Sequence, residues 1–189
     1  LQVSGFAWVA LLQHRAFDVF QQLRPRVYSD AAVRIIDLDD ESMTRLGQWP
    51  WPRTQVAKLE RRLQNLGASV TAYDIFFAEP DRTSPHRIAA TWPGDPEFVS
   101  LKERVSRLPD HDVLLAKALK EGKAVLGYAP TGERNSVRPA TKAAFAYGGD
   151  SPVNYAIPMV GAVTNLPVLE AAAAGLGSVG FAPESDQVI

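Results

Sequence analysis

Apolar residues recur at intervals of three and four from Phe6 to Leu23, at Phe6, Val9, Leu12, Ala16, Phe20 and Leu23, the spacing of one helix face. Pro25 ends that helix. The next run, Val33-Arg34-Ile35-Ile36, is short and β-branched and stops abruptly at Asp37-Leu38-Asp39-Asp40-Glu41. Such a run predicts a buried strand that delivers acids to its C-terminal end. Trp49-Pro50-Trp51-Pro52-Arg53 follows. Its two prolines remove backbone donors, so the stretch is neither helix interior nor central strand but a rigid, extended connector. Pro52 suits the first turn of a helix, whose apolar stripe Val56, Leu59, Leu63 and Leu66 runs until Gly67 closes it. Ser69 to Phe77, carrying Val70, Ala72, Ile75 and Phe76, reads as the next strand. Strand, helix and strand with short links make a right-handed βαβ unit with parallel strands.

From Ala78 to Leu108 the chain is rich in Pro, Asp, Arg and Ser, with Phe98, Val99 and Leu101 as its dense apolar patch. This is a long excursion rather than a linker. Asp110 or Asp112 caps a helix through Leu114, Leu115, Ala118 and Leu119, which Gly122 ends, and Ala124 to Tyr128 form a third strand. Residues 130 to 164 are again irregular. Asn165 caps and Pro167 opens a last helix, Leu166 to Ala174, and Gly175-Leu176-Gly177 leads to a strand at Ser178 to Phe181. The pattern is that of an α/β fold: a central, mostly parallel sheet flanked by helices, with two long irregular excursions and an N-terminal stalk-like helix. No period repeats strictly enough for a solenoid.

Composition narrows the classes. With 189 residues and 46% hydrophobic content, the chain can bury one full core and is short for two. Basic and acidic residues nearly cancel, 20 against 21, which leaves no electrostatic footprint for a nucleic acid partner. The absence of cysteine excludes a disulfide framework, a thiolate metal site and a cysteine nucleophile. The apolar run Phe6 to Leu12 is far shorter than the roughly 20 residues needed to cross a bilayer, so no span is expected within this chain. It lacks the basic flank and small-residue cleavage site of a signal peptide. The first residue is Leu, as expected of a piece of something longer.

Candidate chemistry is sparse. Asp37, Asp39 and Asp40 after a strand invite a magnesium-dependent phosphatase reading, but no second acidic pair stands at another strand end. The simpler role for these acids is to cap a short helix from about Glu41 to Leu46. Asp39, Asp40 and Asp74 together suggest a phospho-acceptor receiver pocket, against which the long irregular excursions argue. His14, His86 and His111 lie in a helix, a polar loop and a helix start, none near a nucleophile elbow. There is no phosphate-cradling glycine loop and no dinucleotide fingerprint. No catalytic residue, metal or cofactor is therefore expected. In the Trp-Pro-Trp-Pro-Arg string the prolines hold two indoles and a guanidinium in set relation, which suits an Arg-aromatic structural lock or a preformed ligand surface. Asp39, Trp49, Trp51, Arg53 and Asp74 are the candidate ligand or lock residues, with Asp74 expected to meet backbone donors or Arg53.

Taken in order, Ile36-Asp37-Leu38-Asp39-Asp40-Glu41-Ser42, Leu46-Gly47-Gln48-Trp49-Pro50-Trp51-Pro52-Arg53, Leu66-Gly67-Ala68 and Tyr73-Asp74-Ile75-Phe76-Phe77-Ala78-Glu79-Pro80-Asp81 resemble the CHASE sensor domain of the second type. Asp112 to Leu119 looks like that family's Asp-x-x-Leu-Ala-x-Ala-Ile helix. Ala174-Gly175-Leu176-Gly177-Ser178-Val179-Gly180-Phe181, with Pro183 and Asp186, looks like its Ala-Gly-x-Gly strand and the segment after it. Gln187 stands where the family has Gly, and the chain stops at Ile189 where further strands follow in the family, so a truncated C-terminal end is expected. The resemblance implies an extracytoplasmic, periplasmic or extracellular, sensor in a transmembrane receptor. Its partners would be an unknown small-molecule or physical stimulus, its own membrane helices, a cytoplasmic nucleotide cyclase, histidine kinase or other kinase, and a second copy as a homodimer. On this reading residues 1–30 lead from a membrane segment and 31–189 form the sensor. The alternatives are the phosphatase-like enzyme using Asp37 and Asp39, and a structural dimerisation module.

Overall fold

The stripe that begins at Val56 folds as a helix of 13 residues, Arg53–Asn65, and its buried face is Arg53, Val56, Ala57 and Glu60. That is the expected three-and-four spacing, but two of the four positions are charged. In the computed structural model the described residues are 7–25, 27, 32–135, 137–144, 146–155 and 159–180, with the backbone alone for 7–11, 13 and 14. Along them run α1 (Ala7–Leu23), α2 (Asp40–Leu46), α3 (Arg53–Asn65), β1 (Thr71–Tyr73), α4 (Pro85–Ala90), α5 (Pro96–Ser106), α6 (His111–Glu121), β2 (Ala124–Thr131), a 3-10 turn (Pro152–Asn154), β3 (Gly161–Val163), α7 (Pro167–Ala172) and β4 (Gly175–Ser178). The chain divides into two units, Leu1–Met43 with Phe181–Ile189, and Thr44–Gly180.

In the first unit, α1 runs Ala7–Leu23 along the periodic stretch read from the sequence, whose first residue, Phe6, lies outside the described residues, and it stops just before Pro25. The run Val33 to Ile36, expected as a buried strand, forms no strand, and Ile35 is 93% exposed. β-Branched composition fits a residue to a pleated surface but does not create the neighbouring strand that must take its backbone groups. The acids that follow do cap a helix: Asp39 Oδ1 accepts from the Ser42 backbone N–H at 2.8 Å and from its hydroxyl at 2.7 Å. The hydroxyl bond first, and then the backbone bond, hold the Asp39 carboxyl below its usual range.

The second unit is built on β2. Its apolar first half pairs in parallel with β1 (Thr71↔Ala124, Tyr73↔Leu126) and with β4 (Val125↔Gly175, Tyr128↔Ser178). Its second half pairs antiparallel with β3 (Ala129↔Val163, Thr131↔Gly161). A near-continuous apolar run is what a strand with parallel partners on both sides requires. Helices α3, α6 and α7 pack in that sequence. The core they share with the sheet holds Val56, Tyr73, Phe77, Leu115, Leu119, Leu126 and Leu169. The α/β class with a mostly parallel sheet flanked by helices is thus the one read from the sequence.

Several boundaries moved, for nonlocal reasons. The strand expected over 69–77 contracts to Thr71–Tyr73, and the Phe77 N–H donates to Asn165 Oδ1 at 2.8 Å instead of to a strand. Leu166, not Asn165, precedes the last helix, which runs Pro167–Ala172. The last strand starts at Gly175 rather than Ser178 because the Ala174 N–H already meets the Ala124 carbonyl at 2.8 Å; Phe181 lies outside the described residues. The excursion after Ala78 carries α4 and α5, each opened by a proline, with Trp92 edge-on to Phe98 at 6.4 Å.

Gly67 closes α3. Its N–H donates to Gln64 O at 2.9 Å and the Ala68 N–H to Leu63 O at 3.0 Å, with Gly67 at φ +91°. This is the double-bonded helix end that needs a left-handed residue. Gly67→Ala is expected to lower the unfolding free energy by about 1 kcal/mol, read from a urea titration, although nothing crowds a Cβ there.

Candidate functional site

Pro52, which precedes α3, has no side-chain acceptor to offer the helix's first donors. Asp81 supplies one from another segment: its Oδ2 accepts from the Arg53 N–H at 2.7 Å. A carboxylate at this end also meets the positive end of the helix dipole. The Arg53 side chain turns inward. Its Nε donates to Asp112 Oδ1 at 3.2 Å, its Nη2 to the Glu79 carbonyl at 2.9 Å, and its guanidinium carbon lies 4.5 Å from the centre of the Phe77 ring.

Asp112 is the second residue of α6, and its other oxygen accepts from the Asp81 N–H at 2.9 Å. Asp110 caps α6 by accepting from the Asp112 N–H at 2.7 Å. Asp81 Oδ1 holds its own loop, accepting from the Thr83 N–H and hydroxyl at 2.7 Å each. Ser84 Oγ accepts from the His111 N–H at 3.1 Å, and His111 Nδ1 lies 3.2 Å from Asp81 Oδ2 and from Thr83 Oγ1. Arg53, Asp81, Ser84 and Asp112 are all buried. Three segments distant in sequence are tied together here: the start of α3, the loop 79–84 and the start of α6.

Burial works against the charge on Asp81, but the bonds from the Arg53 backbone, from Thr83 and from His111 outweigh it and hold its carboxyl below the usual range. A folded value below the unfolded one, about 3.9, contributes stability that is present above the unfolded value and lost as pH falls through the folded one. Thermal melts in increasing acid should therefore show falling stability below about pH 4, with a shallower fall in Asp81→Asn from its lower starting point. An equally steep acid fall in that variant would count against Asp81.

The sequence candidates are placed as follows. Trp51 is buried, its Nε1 donating to Gly47 O at 2.6 Å, and half-buried Trp49 meets it edge-on at 5.7 Å. The guanidinium of Arg53 stacks on Phe77, so the indoles and the cation do not form one stack. Asp74 is exposed, and the salt bridge of Arg53 is with Asp112 rather than with Asp74. Asp39 is exposed and occupied with the first turn of α2. Among the described residues, no group of three or more histidines and carboxylates is arranged to hold a metal ion.

Sequence reasoning missed Asp81 as the hub, and saw Asp112 only as a possible cap. A signal existed: an arginine held by prolines at a helix start needs a buried counter-charge, and Asp81 and Asp112 each open a turn or helix. Two further polar centres had no legible signal. Glu60, wholly buried in the stripe of α3, accepts from the Tyr73 hydroxyl at 2.7 Å and from Gln64 Nε2 at 3.0 Å. Burial first, and then the Glu60 carboxylate, push the Tyr73 phenol well up, so it stays a donor through the neutral range. Asn165 accepts from Phe77 N–H and donates to the Gly127 carbonyl, both at 2.8 Å, taking the place of a strand partner where β1 has ended.

The groups of the Arg53 network are bonded to one another. Such an arrangement clamps the three segments together. Comparison with families returns a match to the CHASE2 domain over residues 1–189. Comparisons with curated proteins and with solved structures find no match.

Proposed function

The chain belongs to the CHASE2 family of extracellular sensory domains in signalling receptors, and on that premise we propose that it is the input module of a transmembrane receptor, relaying a stimulus to a cytoplasmic nucleotide cyclase or protein kinase. The observation that carries the reading is the match over the whole chain, residues 1–189. The Arg53 network supports it, because a clamp joining the starts of α3 and α6 lets a change at one be felt at the other. Among the described residues no helix is long and apolar enough to cross a membrane. On this reading the membrane helices and the output domain belong to the parent receptor, which works as a homodimer with this domain on the extracytoplasmic side.

The test is deletion of residues 44–180 from the parent receptor, with its cyclase or kinase output measured across candidate stimuli. Output should change in level or in response. Identical output under every condition would sink the reading.

A further inference from the structure

Histidine is the side chain whose unperturbed charge changes between roughly pH 5 and 8. His86 and His111 both reach the Arg53 network through Nδ1, His86 at 3.3 Å from Asp110 Oδ2 and His111 at 3.2 Å from Asp81 Oδ2. The proton on His111 can be placed. Its Nδ1 faces Asp81, which only accepts, and the Thr83 hydroxyl, whose hydrogen is already given to Asp81 Oδ1. Nδ1 is therefore the N–H in the neutral ring, and a second proton enters at Nε2. The ring is partly open to solvent, its side chain 19% exposed, so protons reach it.

Asp110, the cap of α6, meets the His86 ring and Asp81 of the loop meets the His111 ring, while Asp112 of α6 is paired with the buried cation, Arg53 of α3. Arg82 and Arg87, on the loop and on α4, are exposed. The N-terminal end of α6, where His111 lies, carries the positive end of that helix's dipole.

We propose that protons are the stimulus: a proton added to the His111 ring passes its charge through Asp81 to the first residue of α3, with His86 placed against Asp110 at the start of α6. The Nδ1–H bond to the ionised Asp81 is already charge-assisted, and a proton added at Nε2 makes the contact an ion pair that draws Asp81 Oδ2 toward the ring. The same Asp81 oxygen accepts from the Arg53 N–H, so strengthening one bond redistributes the other. The change is felt at Arg53, next to the Trp-Pro-Trp-Pro connector. This inference rests on the sensor reading for its meaning, but not for its test.

The experiment is a nuclear magnetic resonance titration of this chain from roughly pH 5 to 8, following the histidine rings and the amides of Arg53, Thr83 and Asp112. Expected are amide shifts at Arg53 and Thr83 with the midpoint of the His111 ring. In His111→Gln the Arg53 response should vanish while the Leu126 amide is unmoved. A His111 ring that titrates while Arg53 and Thr83 stay flat, or an Arg53 response that survives in His111→Gln, overturns the proposal. If that variant does not fold, the wild-type titration alone decides. A flat titration leaves the deletion result in the receptor intact, and an unchanged receptor output leaves the titration intact, so the two failures are distinguishable.

Discussion

Arg53→Ala should lower the unfolding free energy by about 3–5 kcal/mol, because it leaves carboxylates buried without their cation. The Arg53 and Asp112 side chains are 9% and 7% exposed. An exposed ion pair of the same geometry would be worth about 1 kcal/mol or less, since water screens it and both side chains lose entropy. Burial reverses that balance, as the orphaned carboxylate must either stay charged in a poor solvent or take up a proton. The substitution also removes the donor to the Glu79 carbonyl and the stack on Phe77, and it spares the Arg53 N–H that meets Asp81. Urea titrations of both proteins decide it. A change within about 0.5 kcal/mol, the usual range for a surface position, would rule out the clamp. Arg53→Lys should recover only part of the loss, since an ammonium lacks the planar fork that reaches Asp112 and Glu79 together.

Phe77→Ala is expected to cost about 3–5 kcal/mol, the range for deleting a buried aromatic ring. Phe77 is fully buried, lies edge-on to Tyr73 at 6.0 Å and carries the Arg53 guanidinium on its face. Its backbone is held as well, the N–H by Asn165 and the carbonyl by the Leu166 N–H at 2.9 Å, so the site cannot collapse freely around the lost ring. Because ring and guanidinium touch, the losses in Arg53→Ala and Phe77→Ala should not add; a coupling of about 0.5 kcal/mol or more is expected in the double-mutant cycle. Additive losses would mean that the stack contributes nothing. The cycle thus separates the contribution of the aromatic platform from that of the ion pair.

The helices were largely legible in the sequence. The starts and stops of α3 and α6 follow from a stripe of apolar residues, a proline or aspartate in front and a glycine behind, all within a few residues of one another. The first excursion was less legible: its helices α4 and α5 are short, opened by proline and poor in buried side chains, so their periodicity is faint. Strands were the harder case. Val33 to Ile36 has the composition of a strand and forms none, whereas Gly161–Val163 is a strand that composition does not announce. A helix satisfies its own backbone, but a strand exists only if another arrives beside it.

The candidate site divides along the same line. The rigidity of Trp49-Pro50-Trp51-Pro52-Arg53 and the capping role of Asp39 lie within one or two turns of chain, where steric and hydrogen-bond rules operate without help from the rest of the molecule. Arg53 was therefore identifiable as a held residue, while its holders were not. Asp81 is 28 residues away and Asp112 is 59. Their meeting depends on where α6 is laid beside α3, which is settled by the burial of Val56, Leu115 and Leu119 in one core. By itself, then, the order of amino acids determined the α/β class, most helix boundaries and the presence of an arginine at the end of a rigid connector. The tertiary structure alone decided which acids answer it, that Phe77 rather than a tryptophan carries its guanidinium, and that two histidines stand at the network's rim. The reason is physical: local geometry is set by neighbours along the chain, whereas charge pairing is set by whatever hydrophobic packing brings within about 4 Å.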